Sequence, residues 1–219
     1  MRIFVYCALI VMLFSCKNNK SDFENLPVSE RIAKAHGFDS WEDIAQIDFT
    51  FNVDKDDSHF ERSWSWQPDS RKVVLTVGEN KISYNRSKID SVMVNADKSF
   101  VNDKYWLLAP FNLIWDKEIK QTYTEETKAP ISKVTMQKLT IVYEGDGGYT
   151  PGDAYDFYFG EDYLIKEWAF RKENSAGPGL ITTWEDYEEF DGLQIATTHN
   201  KKEGNWKLYF TDIETITKD

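Results

Sequence analysis

Residues 105–116 read YWLLAPFNLIWD, a run in which only Pro110, Asn112 and the closing Asp116 interrupt apolar and aromatic side chains. In a chain with 29% charged residues, such a patch is a core, a wall for a greasy ligand or a membrane contact. It is too short to cross a bilayer, which takes roughly 20 apolar residues in a helix. Proline has no backbone N–H and interrupts a helix interior, so Pro110 divides the stretch. Tyr105 to Ala109 then reads as a strand, while Phe111, Ile114 and Trp115 have the spacing of a short helix. Apolarity without alternation implies burial on both faces. The expectation is a strand passing beneath a covering helix.

The flanking sequence supplies the sheet. IDFTFNV puts Ile47, Phe49, Phe51 and Val53 on one face, and FERSWSW does the same for Phe60, Arg62, Trp64 and Trp66. Val73, Leu75 and Val77 alternate, Gly78 to Asn80 turns, and Ile82 and Tyr84 alternate again, which predicts a hairpin. Further on, KVTMQKLTIVYE changes register between Met136 and Leu139, so a bulge is expected there. Tyr155, Phe157 and Phe159 alternate, as do Leu164, Lys166, Trp168 and Phe170; LITTWEDYEEF, LQIATTHNK and WKLYFTDIETI complete an antiparallel meander. Helices are few: Ser29 is the expected N-cap of ERIAKAH with Gly37 past its end, Ser40 caps a further turn, and RSKIDSVMVNADK is read as helical. Some nine to eleven strands predict a mainly β (α+β) fold, a large curved antiparallel sheet forming an open half-barrel with a few short helices covering its concave side. No repeat of solenoid or propeller length is present.

Composition limits the function. Aromatics make up 15% of 219 residues, enough to fill one large core. The formal charge is -11 with no basic stripe, which excludes a nucleic-acid partner and adhesion to anionic membrane through charge. The N-terminus is more specific: Arg2 followed by IFVYCALIVMLF has the layout of an export signal, and LFSC, Leu13 to Cys16, resembles the lipobox of bacterial lipoproteins. That resemblance implies a signal peptide over 1–15, cleavage before Cys16, acylation of Cys16 by chains such as palmitate, and a polar tether over 16–28. Residues 29–219 are then a single domain. Its mature chain has one cysteine, already acylated, so no disulfide is expected. The residues after Cys16 lack an acidic run, which favours an outer-membrane anchor facing the periplasm.

The segments AKAHGF (33–38), WEDIAQIDFTF (41–51), NDKYWLLAPFNLIWD (102–116) and GDGGYTPGDAYDFYF (145–159) together resemble a group of envelope lipoproteins, similar more distantly to the lipoprotein-carrier superfamily of LolA and LolB. The likeness spans about residues 28–216. It implies an unclosed barrel whose concave side is covered by helices and holds acyl chains, with an anchored, receptor-like member as the nearer analogue. No functional position of the carriers maps onto a particular residue here.

Catalytic signatures are absent: there is no HExxH, CxxC, GxSxG or P-loop. His36, at a helix end, and His59, among acidic residues, are read as surface side chains, and His199, near a strand end, has no stronger claim to chemistry. Asp146 and Asp153 flank a turn that lacks the ligand spacing of a calcium loop, so a shaped turn is expected and no metal or cofactor. The expected protein is therefore a non-enzymatic, membrane-anchored lipoprotein that binds a lipid, an acyl chain or a lipidated client. Lining is expected from Phe49, Phe51, Trp64, Trp66, Leu75, Trp106, Leu108, Phe111, Trp115, Phe157, Trp168 and Trp184. Two alternatives stand beside it: a glycan-binding or glycan-processing protein using tryptophans and paired carboxylates, and a structural protein whose tryptophans simply fill the core.

Overall fold

In the computed structural model, which describes residues 19–145 and 149–218, two antiparallel ladders meet at one bent strand. Cys16 with its lipobox, and Asp146, lie outside the described residues. The strands are β1 (Ile44–Lys55), β2 (Ser58–Gln67), β3 (Lys72–Val77), β4 (Asn80–Asn85), β5 (Ile119–Lys128), β6 (Thr135–Tyr143), β7 (Ala154–Phe159), β8 (Ile165–Arg171), β9 (Leu180–Thr183), β10 (Glu185–Phe190), β11 (Leu193–Asn200) and β12 (Trp206–Thr217). One sheet has the order β10-β11-β12-β1-β2-β3-β4 and the other β5-β6-β7-β8-β9.

LITTWEDYEEF, read as one returning strand, supplies both β9 and β10. Only Trp184 separates them, and its N–H donates to the Lys166 carbonyl at 2.8 Å. The Asn200 N–H of β11 donates to Thr183 Oγ1 at 3.0 Å, so β11 leans across the corner onto β9. The layer is thus mainly β, curved and open, with free edges at β4 and β5. The expected bulge near Met136 falls in the partner strand: Thr124 pairs with Lys138 but Thr127 with Met136, leaving an extra residue in β5.

Among the described residues three α-helices accompany the strands: α1 (Asn19–Glu24), α2 (Val28–Ala35) and α3 (Val94–Trp115), with 3-10 turns at Phe38–Asp43 and Lys172–Asn174. The short α1 lies in the stretch read as a tether, and Phe23 meets the Tyr163 ring edge-on at 5.5 Å. Pro27, rather than Ser29, precedes α2 as its N-cap residue, since proline's fixed φ suits a helix start and Ser29 makes no side-chain cap. Residues 86–93, expected to be helical, form turns before α3 begins.

The opening stretch corrects its own reading. YWLLA is not a strand: Val94–Trp115 is one helix, bent at Leu108 (φ -127, ψ 28). Pro110 lacks the N–H that would bond the Trp106 carbonyl, and the bend two residues earlier accommodates it. Every residue from Asp103 to Leu113 is buried, because α3 lies on the concave side of the layer with α2 packed over it. A helix enclosed on all sides carries no polar face, so its apolar run has no helical period.

Candidate functional site

The twelve residues expected to line a groove do converge. Eleven are buried members of one cluster and Trp115 packs against it partly exposed. Many of them touch one another: ring centroids lie 4.3 Å apart for Trp106 and Trp168, 5.6 Å for Trp168 and Trp184, and 5.6 Å for Phe111 and Trp115. Phe49, Phe111, Phe157 and Trp168 are at most 1% exposed, which leaves no water-sized space beside them. Helix α3 and its rings fill the concave side.

Space opens instead where the C-terminal end of α3 leaves the sheet. Two adjoining clefts there, of about 330 and 560 Å³, share Arg86, Lys104 and Asp116. The larger is walled by Trp41 of the 3-10 turn, Trp66 of β2 and Trp115 of α3, with centroids 5.3 Å apart for Trp41 and Trp66 and 5.0 Å for Trp41 and Trp115. Period-two alternation puts Trp66 on the concave face, and the bend at Leu108 carries Trp115 toward it. Phe111 backs the wall, 5.7 Å from Trp41.

The smaller cleft is bounded by tyrosines. Tyr143 donates to Asp116 Oδ2 at 2.7 Å and accepts from the Tyr105 hydroxyl at 3.2 Å. Burial raises both phenols, and the Asp116 charge adds to it, so both remain protonated donors at any physiological pH. Between the clefts lies Lys104, 8% exposed, its Nζ donating to Asn112 Oδ1 at 2.9 Å across the bend. That ammonium stands 4.9 Å from the centre of the Trp115 ring and 5.9 Å from that of Trp66. Burial lowers its pKa to about 8, with Asp116 acting in the opposite direction.

A second cation, Arg86, is held by Asp97 in the first turn of α3: Nε donates to Oδ1 at 2.7 Å. The same buried carboxylate accepts from Tyr84 at 3.2 Å and Tyr149 at 2.8 Å, which ties β4, α3 and the loop after β6 together. A separate buried pair, Arg62 with Asp103, adds the Trp64 indole N–H at 2.8 Å; it braces β2 against α3 and faces no cleft. Burial raises the Asp103 pKa despite these donors.

Of the two histidines read as surface side chains, His59 is one and His36 is not. His59 is exposed, bonded to Asp54 and Glu61, which raises its pKa. His36, expected at the surface, is 1% exposed because Gly37 turns the chain under the β10–β11 hairpin; Gln194 N–H donates to the His36 carbonyl. His199 is fully buried against Trp184, at 4.7 Å between centroids. Its Nε2, with Trp168 Nε1, Trp184 Nε1 and Thr182 Oγ1, has no hydrogen-bond partner among the described residues. Asp153 accepts the Glu173 N–H at 2.8 Å, a turn contact, and no metal-binding group of side chains occurs among the described residues. No described helix is long and apolar enough to cross a membrane.

Sequence reasoning missed Trp41, Arg86, Lys104 and Asp116. The one signal available was Lys104 itself, a lysine directly preceding the most apolar run that follows the export signal.

No family model and no curated protein matches the chain. Among solved structures it is similar to a DUF1329 family protein from Desulfovibrio piger, at 10% identity and a TM-score of 0.47 over 90% of this chain and 92% of that one. It is also similar to a LolA superfamily protein from Nitrosomonas europaea, at 9% identity and 0.48 over 86% and 94%. A third similar structure is a domain assigned as an outer membrane lipoprotein-sorting protein, from Vibrio parahaemolyticus, at 12% identity and 0.45 over 85% and 93%.

Proposed function

We propose that the protein is a non-enzymatic lipoprotein of the cell envelope, anchored through Cys16, that binds an acyl chain, a lipid or a lipidated client at the cleft beside the end of α3. The observation that carries this reading is the wall of Trp41, Trp66 and Trp115, open to the cleft beside a core in which rings such as Trp64, Trp106, Phe157 and Trp168 are buried. Covering such surface is favourable at ~25 cal/mol per Å² of apolar area removed from water, counted over both the wall and the chain laid on it. The filled interior makes this a surface-lying chain, seated on rings already in place, rather than one threaded through the core.

Displacement of a fluorescent fatty acid tests it. Wild-type protein is expected to bind the probe saturably and release it to palmitate, and Trp115→Asp to weaken binding at least tenfold, since Trp115 is a partly exposed wall of the cleft at the margin of the core; Trp115→Phe, which keeps a ring there, should retain binding. Failure to bind any of a panel of lipids would contradict the reading.

One feature supports the glycan alternative: Arg71, Arg86 and Asp116 rim the same tryptophans, as polar groups do around a ring that stacks on a pyranose. Retention on a polysaccharide matrix without fatty-acid binding would select it. Absence of both activities would leave a structural or partner-binding role.

A further inference from the structure

We infer that Lys104 is an anion-binding side chain, which with Arg86 beside it receives the acidic group, a carboxylate or a phosphate ester, of the ligand in the cleft. The inference rests on the cleft being the binding site and specifies the ligand as an anionic amphiphile.

Among the described residues Lys104 is a buried cation that makes no direct ion pair. The chain has 37 acidic residues against 26 basic ones, yet among the described residues no carboxylate lies within 4 Å of its Nζ. By contrast Arg62, a partly buried cation against α3, has a carboxylate of its own at 2.5 Å. A buried charge without a counter-ion is costly, and proteins normally pair it or let it lose its proton. An ammonium has three donors, and one goes to Asn112. The side chain lines both clefts, so an entering anion meets the remaining donors. The rings of Trp66 and Trp115 hold the cation from the apolar side and offer a seat to the chain attached to the anion.

The groups that face Lys104 determine its charge. Asp116 and Asp97 favour the ammonium and Arg86 opposes it. Tyr105 and Tyr143 are neutral donors, and Lys117, Glu118 and Tyr149 lie on the rim of the smaller cleft. The amine therefore loses its proton near pH 8 in the empty protein, and a bound anion shifts that loss to higher pH. Affinity for an anionic ligand then falls as pH rises above about 8, whereas affinity for a neutral one of the same length does not.

Palmitate and hexadecanol, competed against the fluorescent probe at pH 7.5 and 9.5, test this together with the Nζ resonance of Lys104 followed by NMR. The expected results are at least tenfold tighter binding of palmitate than of hexadecanol at pH 7.5, loss of that preference in Lys104→Met with hexadecanol binding kept, and a rise of one pH unit or more in the Lys104 midpoint on adding palmitate. Inorganic phosphate and phosphatidylglycerol vesicles distinguish a free anion from a lipid headgroup, and a shift with either supports the site. Equal binding of palmitate and hexadecanol, with an unmoved Lys104 midpoint, overturns the anion site while leaving the apolar cleft intact. If neither chain binds, the cleft reading falls, and the anion site falls with it unless phosphate moves the midpoint.

Discussion

His199 shows how much a single side chain depends on its enclosure. Trp106, Trp184 and Phe210 surround it, and burial lowers its pKa to about 3, while burial lowers that of His36 to about 4. In the unfolded chain both titrate near 6.5. Between those values the unfolded chain binds protons that the native protein refuses, so stability falls as the pH falls. From pH 6.5, where the unfolded imidazole is half protonated, to pH 5 each imidazole removes about 1.6 kcal/mol, approaching ~1.36 kcal/mol per pH unit at the acid end. Urea unfolding of His199→Phe should therefore lose about 1.6 kcal/mol less than wild type over that interval, and an identical loss would show that His199 is charged in the native state. None of this was readable locally: IATTHNK looks like a strand end, and only the crossing of β11 beneath Trp106 buries its histidine. Lys104 is the converse case, an ordinary lysine in sequence that the bend of α3 draws into an aromatic cleft.

Period was informative at the scale of elements wherever one face of a strand meets the core. The alternations in β1 and β2 located two strands, and those in β3 and β4 located a hairpin. Period fails where an element is enclosed, which is why α3 was divided into a strand and a short helix at Pro110. The packing of α2 against the β10–β11 turn offers a sharper test. Gly37 has φ +85, and a Cβ there would run into the Gly192 carbonyl. Gly78, in the β3–β4 turn, has φ +54 with nothing near it. Gly37→Ala should cost roughly 2–4 kcal/mol in urea unfolding, from left-handed strain plus collision with backbone, against about 1 kcal/mol for Gly78→Ala. Equal costs would mean that α2 is free to move away from the turn.

At the scale of the whole molecule the layer, its curvature and its covering helix belong to one arrangement. A twelve-strand antiparallel run accumulates twist and must curl; here the strand bends once, at Trp184, and stays open between β4 and β5. The concave side so formed was legible from aromatic alternation, but not its contents, because the same rings serve equally as a lining for a guest or as a core. Helix α3 decides between these roles along most of its length and leaves one aromatic and cationic cleft at its end. The account therefore places an anionic amphiphile at Lys104 and the three tryptophans. Native mass spectrometry of the full-length protein, taken in mild detergent from its own envelope, tests that claim most directly. The expected result is an added mass beyond any acylation of Cys16, identifiable as an acyl-bearing anion and lost in Trp115→Asp; a wild-type protein carrying no such mass would contradict it.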